Sequence, residues 1–196
     1  MRYLAFGDSL TAGMTNGHKD YPPAAFIQRL LGEKHIVVQE GIGGDLLEDM
    51  PRRLRTSLTE RAAKHRGAVN CVIFWGGTND IRCGRSAEDV FEHFGQVIET
   101  CRVNNSKLIV LTLPEMECEK AGSGSIGLNR KLFNELLKTN ADEGRYRIVD
   151  IASAIPYFFL SGEEEKKQWY CDGLHFTKNG YEKVARLVID VIRRRM

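Results

Sequence analysis

The chain has 196 residues, of which 42% are hydrophobic, and it carries a formal net charge of +2. This length allows one substantial hydrophobic core, so we expect a single domain over residues 1–196. Charged residues are spread along the whole chain, and so weak and dispersed a charge excludes nucleic acid and anionic membrane surfaces as predicted partners.

The first apolar run, Tyr3 to Phe6, is too short for the core of a signal peptide or for a helix that spans a bilayer. We therefore expect a cytoplasmic protein without stable membrane insertion. The five cysteines are odd in number and show no Cys-x-x-Cys spacing, which argues against a disulfide framework and against a zinc site. Cys71 and Cys101 fall within apolar patterns and are predicted to lie in the core.

Five short apolar runs, rich in Val and Ile, have the length of buried strands. In chain order they are Tyr3 to Phe6, Ile36 to Val38, Val69 to Trp75, Leu108 to Leu113 and Arg147 to Ile151. Apolar residues recur at helical spacing in three segments that follow the third, fourth and fifth predicted strands. These segments are Val90 to Cys101, Leu128 to Leu137 and Tyr181 to Ile192. This alternation predicts a flavodoxin-like α/β fold, a three-layer α/β/α sandwich around a five-stranded parallel sheet. In such sheets ligands bind outside the carboxyl ends of the strands.

The first strand is followed by Gly7-Asp8-Ser9-Leu10, where Gly7 permits a tight turn that exposes the next side chains. Ser9 would then stand at the carboxyl edge of the sheet, available as a nucleophile. The alternative is structural, because Asp8 and Ser9 are both good helix N-caps.

Glycine-rich segments also follow the second and third strands. Gly41 to Asp45 could point backbone N–H groups at a ligand, but Leu46 occupies the place of the third glycine in a dinucleotide-binding motif. In Gly76 to Asp80, Asn79 could donate its amide to a developing negative charge, although a turn or cap is the commoner role of Asn-Asp.

Asp172-Gly173-Leu174-His175 lies directly before the last helical pattern. A carboxylate three residues before an imidazole can reach its Nδ1–H across one turn, which leaves Nε2 free to act as a base. An isolated Asp-x-x-His is also typical of a capped helix start. The Gly-x-Ser-x-Gly elbow of α/β-hydrolases is absent, and Ser125, in its nearest approximation, is interpreted as a loop residue.

Taken together and in this order, the four segments resemble the sequence blocks of the GDSL or SGNH hydrolases. Gly7 to Leu10 matches the first block letter for letter, Gly44 falls on the glycine of the second, Gly77 to Asp80 matches Gly-x-Asn-Asp, and Asp172 to His175 matches Asp-x-x-His. The second block departs from the family pattern at Gln39 and Gly43, which puts its local hydrogen bonding in doubt but not the backbone donor at Gly44.

The resemblance implies the SGNH hydrolase fold and a serine esterase or lipase that hydrolyses carboxylic esters of small or medium acyl groups. It implies a triad of Ser9, His175 and Asp172, and an oxyanion hole formed by Ser9, Gly44 and Asn79. A small-molecule ester is the expected partner, with no metal and no organic cofactor, and the oligomeric state stays open. Alternative enzymes on the same site are a lysophospholipase or thioesterase, a carbohydrate O-deacetylase, and an acyltransferase. Two alternatives are not enzymes: a non-catalytic binding module, and a phosphate binder that uses Gly41 to Gly44.

Two further segments are candidates for substrate contacts. Aromatic residues at Pro156 to Leu160 and Trp169-Tyr170 flank an acidic run and could line an acyl or aryl pocket, although packing in an amphipathic helix is the commoner role of such residues. The loop Gly122 to Gly127 follows the fourth strand and could gate the site. Arg193 to Arg195 are interpreted as the basic end of the last helix.

Overall fold

A computed structural model describes residues 1–63, 67–120, 124–141 and 144–194 of the chain. Its central element is a five-stranded parallel sheet, whose strands are Arg2–Gly7 (β1), Ile36–Gly41 (β2), Cys71–Trp75 (β3), Lys107–Leu111 (β4) and Arg147–Val149 (β5). The strands pair in the order β2-β1-β3-β4-β5. The five-stranded parallel sheet predicted from the sequence is therefore confirmed, in the order of a flavodoxin-like sheet.

Burial along the strands explains their composition. Every residue of β3 is buried, and β1 is buried from Tyr3 onward, because both strands are covered on both faces. At the edge of the sheet, β2 is only partly buried over most of its length. In the register of these strands Gly7 lies opposite both Gly41 and Trp75, so three strands end at one level.

The fourth and fifth predicted strands end two residues earlier than the sequence pattern indicates, at Leu111 and Val149. Beyond Leu111 the chain turns toward Asn134, whose side-chain amide exchanges two hydrogen bonds with the backbone of Leu113 (2.8 and 2.9 Å). Ile151 begins a helix, because Asp150 accepts a hydrogen bond from the N–H of Ser153 and caps it.

The α-helices that the structure describes are Ser9–Ala12 (α1), Pro23–Leu31 (α2), Met50–Ala63 (α3), Thr78–Arg82 (α4), Ala87–Val103 (α5), Ser125–Ala141 (α6), Ile151–Ala154 (α7), Glu163–Trp169 (α8) and Lys178–Arg193 (α9). A 3-10 helix spans Glu117–Lys120. Helices α2 and α9 pack against each other, and α5 packs against both α3 and α6. These two groups are the outer layers of the sandwich. Within the described ranges, no helix is both long and apolar enough to cross a bilayer.

The three predicted helical segments lie within α5, α6 and α9. Ser86 and Thr177 cap α5 and α9, accepting hydrogen bonds from Asp89 N and Gly180 N. The interpretation of Ser125 as a loop residue is wrong, because α6 begins there. Of the predicted gating loop, Gly122 and Ser123 lie outside the described residues.

The last helix and two of the cysteines also follow the sequence predictions. The last helix ends at Arg193 and Arg194 follows it, whereas Arg195 lies outside the described residues. Cys71 and Cys101 are buried in the core, as predicted.

Candidate active site

Ser9 is the first residue of α1, two residues beyond the end of strand β1. Gly7 allows this sharp turn, since a Cβ at that position would overlap the carbonyl oxygen of Trp75. Asp8 caps α1 by accepting a hydrogen bond from Leu10 N (2.9 Å), and Thr11 Oγ1 donates to Trp75 O (2.9 Å). The capping interpretation is thus correct for Asp8, while Ser9 keeps its hydroxyl available for another partner.

That partner is His175. Its Nε2 lies 2.9 Å from Ser9 Oγ, and its Nδ1 lies 2.8 Å from Asp172 Oδ2. The other carboxylate oxygen, Asp172 Oδ1, accepts hydrogen bonds from the backbone N–H groups of Leu174 (2.8 Å) and His175 (2.6 Å). Burial alone would raise the pKa of Asp172, but these hydrogen bonds outweigh it and hold the pKa below its usual range. Asp172 is therefore an ionised acceptor at neutral pH.

The turn that carries His175 is anchored to the N-terminal part of the chain. Phe176 is buried, stacks on Trp75 with ring centroids 5.8 Å apart, and accepts a hydrogen bond from Thr15 Oγ1 through its carbonyl (3.1 Å). Cys171 N donates to His175 O (2.9 Å), which closes the turn. These contacts fix the backbone of His175 relative to Ser9.

Gly44 and Asn79 lie on two segments that are joined to each other and to the β1 turn. Asn79 Nδ2 donates to Asp45 O (3.0 Å), Ile42 N donates to Gly7 O (3.0 Å), and Gly44 is exposed with φ +79°. An amide nitrogen carries two hydrogens, so one N–H of Asn79 remains for another acceptor. The roles of Ser9 N, Gly44 N and Asn79 as oxyanion donors stay predictions.

Arg53 is a residue of this region that the sequence analysis missed. From α3, its guanidinium donates to Gly7 O (3.0 Å), to Glu40 O (2.8 Å) and to Asp45 Oδ2 (2.6 and 3.0 Å). It also lies over the Phe6 ring, 3.8 Å from the centroid. One side chain thus ties the turn before Ser9 to both ends of the Gly44 loop. Its only sequence signal is an arginine on a polar helix, which is too common to single it out.

Asp8 is fully buried beside the nucleophile candidate. Burial raises the pKa of its carboxyl to about 6, although the Leu10 N–H, the neighbouring Thr78 and the charge of His175 all oppose the rise. The sequence pattern predicts only a capping role for Asp8.

An open groove of about 360 Å³ runs beside the imidazole. Its lining consists of Arg82, Met116, Glu117, Cys118 and the turn from Asp172 to His175. The aromatic residues proposed for an acyl pocket are absent from this described lining. Tyr157 and Tyr170 are buried against each other with ring centroids 5.0 Å apart, whereas Phe159 is 84% exposed.

The fold and these contacts define a three-layer α/β/α protein with a hydrogen-bonded Ser, His and Asp at the carboxyl edge of its sheet. The GDSL-like lipase/acylhydrolase family model matches residues 5–183, and the chain belongs to this family of hydrolases. A comparison with curated protein sequences returned no match.

Similar solved structures include a member of the lipolytic G-D-S-L family from Veillonella parvula, with 21% identity, 99% of each chain covered and a TM-score of 0.75. A carbohydrate acetylesterase family member from Sinorhizobium meliloti is 18% identical, with coverage of 98% and 97% and a TM-score of 0.77. An aryl esterase from M. smegmatis is 18% identical, with coverage of 100% and 99% and a TM-score of 0.72. At these identities the similarity establishes the fold alone.

Proposed function

We propose that the chain is a serine esterase that hydrolyses carboxylic esters of small or medium acyl groups. The observation that carries this proposal is the continuous hydrogen-bonded path from Asp172 through His175 to Ser9, with distances of 2.8 and 2.9 Å. A base within hydrogen-bond reach of a hydroxyl, itself oriented by a carboxylate, is the arrangement that activates a serine nucleophile.

In the first half of the reaction, Ser9 Oγ forms a bond to the ester carbonyl carbon while its proton moves to His175 Nε2. The carbonyl π electrons move to oxygen, and the resulting oxyanion accepts hydrogen bonds from Ser9 N, Gly44 N and Asn79 Nδ2. Collapse breaks the bond to the alcohol oxygen, which takes the proton from His175, and leaves Ser9 acylated.

In the second half, water donates a proton to His175 as its oxygen attacks the acyl carbon, and the acid leaves when Ser9 Oγ recovers that proton. Asp172 stabilises the imidazolium in both halves through its hydrogen bond to Nδ1. The side chains of His175 and Asp172 are 17% and 43% exposed, so water has access to the site, which supports hydrolysis over transfer to another alcohol.

A carbohydrate O-deacetylase is the second candidate, since one fold relative is described as a carbohydrate acetylesterase and the groove beside His175 includes polar and charged side chains. A lysophospholipase or thioesterase would use the same site on a longer acyl chain. The acyl-chain preference separates these candidates.

The test is hydrolysis of p-nitrophenyl esters of increasing acyl length by the wild type and by Ser9→Ala. Turnover is expected to fall on the order of a millionfold in Ser9→Ala, because the nucleophile is lost. Asn79→Ala is expected to raise the barrier by about 3 kcal/mol, the usual effect of removing an oxyanion donor.

Ser57→Ala, on α3 and outside the site, is the matched control and is expected to keep full activity. A fluorophosphonate should label Ser9, as located by peptide mass spectrometry. Normal turnover by Ser9→Ala, or labelling at another serine, would contradict the proposed mechanism.

A further inference from the structure

Arg82 lines the groove that contains His175 and Asp172. It is exposed and lies three residues after Asn79 on α4, a spacing that brings two helical side chains to neighbouring positions on one face. A ligand that extends from the Asn79 side of the site along this groove would therefore meet a guanidinium.

The charge of Arg82 is not used within the described part of the chain. There, no carboxylate lies within ion-pair distance of Arg82, whereas the nearby Arg85 pairs with Glu48 at 2.7 Å and faces the buried Asp80 at 3.6 Å. Five planar donors in the lining of this groove, without a partner among the described residues, are suited to a carboxylate or phosphate.

The two carboxylates in the groove differ in their surroundings. Both oxygens of Asp172 accept hydrogen bonds from the turn that it closes. Glu117 donates its backbone N–H to Gly173 O (2.8 Å), and its carboxylate lies close to Tyr157, whose pKa is raised by burial and by this charge. Among the described residues, Arg82 is therefore the cation of this groove that is free to bind a ligand, whereas Asp172 is engaged by its own turn and the exposed Glu117 lies near Tyr157.

We propose that Arg82 recognises an anionic group on the ester substrate, a carboxylate or a phosphate on either its acid or its alcohol part. This inference rests on the proposed esterase function and adds the charge class of its substrate. Arg82 is then a specificity residue that contacts the substrate away from the reacting carbon.

The experiment compares kcat/KM for two matched pairs of esters, with the rate of Ser9→Ala subtracted. In the acid pair, mono-p-nitrophenyl glutarate carries a carboxylate that p-nitrophenyl pentanoate lacks. In the alcohol pair, meta-carboxyphenyl acetate is compared with phenyl acetate. The wild type is expected to favour the anionic member of at least one pair, and the pair that shows the preference identifies the part of the substrate that meets Arg82.

Arg82→Gln is expected to lower that anionic preference about fivefold to tenfold, and Arg82→Lys to lower it less, since a solvent-accessible charged contact contributes on the order of 1 kcal/mol. Half-molar sodium chloride should reduce the wild-type preference in the same direction, because it screens the charge. Arg55→Gln, which removes an exposed charge from α3 outside the groove, is the matched control.

If Arg82→Gln kept the wild-type preference for the anionic ester, or if Arg55→Gln lost as much of it, the role of Arg82 would be overturned. Ser9-dependent turnover in the same assay would then leave the esterase proposal standing. A wild type that hydrolyses none of the four esters would overturn both proposals together.

Discussion

Asp8 is a buried carboxylate beside the candidate nucleophile Ser9, where its charge opposes folding. Its carboxylate caps α1 and lies in the field of His175, yet it is fully buried and its pKa is raised from 3.8 to about 6. A buried negative charge near the base would stabilise the imidazolium that forms when Ser9 is deprotonated. The same charge must be removed from water when the protein folds.

This conflict predicts a pH-dependent gain in stability for Asp8→Asn. Because the pKa is higher in the folded state, the folded protein binds more protons between about pH 4 and pH 6, and its stability falls as pH rises through that range. Above pH 6 the buried charge costs on the order of 3 kcal/mol. Asparagine keeps the capping oxygen without the charge, so urea unfolding should show Asp8→Asn to be more stable at pH 8 and nearly equal to the wild type at pH 4.

The exposed Asp20→Asn is the matched control and should show no such pH dependence. Esterase activity of Asp8→Asn is expected to fall while its stability at pH 8 rises, a combination that a purely structural role for the carboxylate does not produce. Equal destabilisation of Asp8→Asn at both pH values would show instead that the carboxylate contributes through its geometry alone.

Among the secondary-structure elements, α3 positions the loop that carries Gly44 although it supplies none of the predicted triad. Arg53 holds the Gly7 carbonyl, the Glu40 carbonyl and the Asp45 carboxylate at 2.6–3.0 Å. Gly44 lies between Glu40 and Asp45 in the sequence. Arg53 reaches these acceptors through three separate nitrogens, Nε, Nη1 and Nη2. The three donors of a lysine share one nitrogen, which cannot take the positions of all three at once.

We therefore predict that Arg53→Lys lowers kcat about tenfold or more with little change in KM, because a displaced Gly44 N–H weakens the binding of the oxyanion rather than of the ground-state ester. An alkyl boronic acid, which forms a tetrahedral adduct with a serine, should lose affinity in parallel with kcat. Arg61→Lys is the control, since Arg61 on the same helix pairs with the Glu40 side chain and contacts neither Gly7 nor Asp45. A rise in KM with unchanged kcat would contradict this positioning role.

The same elements show what could be predicted from the sequence. The strands were recognised because β1 and β3 are continuous apolar runs, and α9 because its buried residues recur at helical spacing. Helix α3 was missed because only Met50, Pro51, Leu54 and Leu58 are buried in its fourteen residues. Asp172 and His175 were predictable because their hydrogen bond is local, whereas the contacts of Arg53 join residues up to 46 positions apart and leave no periodic signal.

In the whole molecule, the candidate site depends on contacts between distant parts of the chain. Ser9 and His175 are 166 positions apart. The turn of His175 is bound to the N-terminal region by a hydrogen bond from Thr15 Oγ1 to Phe176 O, and the helix α9 that follows it by one from Tyr181 OH to Met14 O (2.8 Å). Trp75, from the third strand, stacks beneath this turn on Phe176. No single element, and no run of neighbouring elements, contains the site.

This assembly predicts that esterase activity and the fold are lost together in urea. The turn from Tyr170 to Thr177 is hydrogen-bonded to Ser9 and Thr15, stacks on Trp75 of β3 and caps α9. We expect these contacts to break only when the sheet unfolds, so the midpoints for hydrolysis and for far-UV circular dichroism should coincide. Trp169→Phe leaves Trp75 as the only tryptophan, and its fluorescence should report the same midpoint from beneath His175. If hydrolysis and Trp75 fluorescence changed at clearly lower urea than the circular dichroism, the turn would be a unit that opens on its own, and substrate entry through that opening would become the mechanism to test.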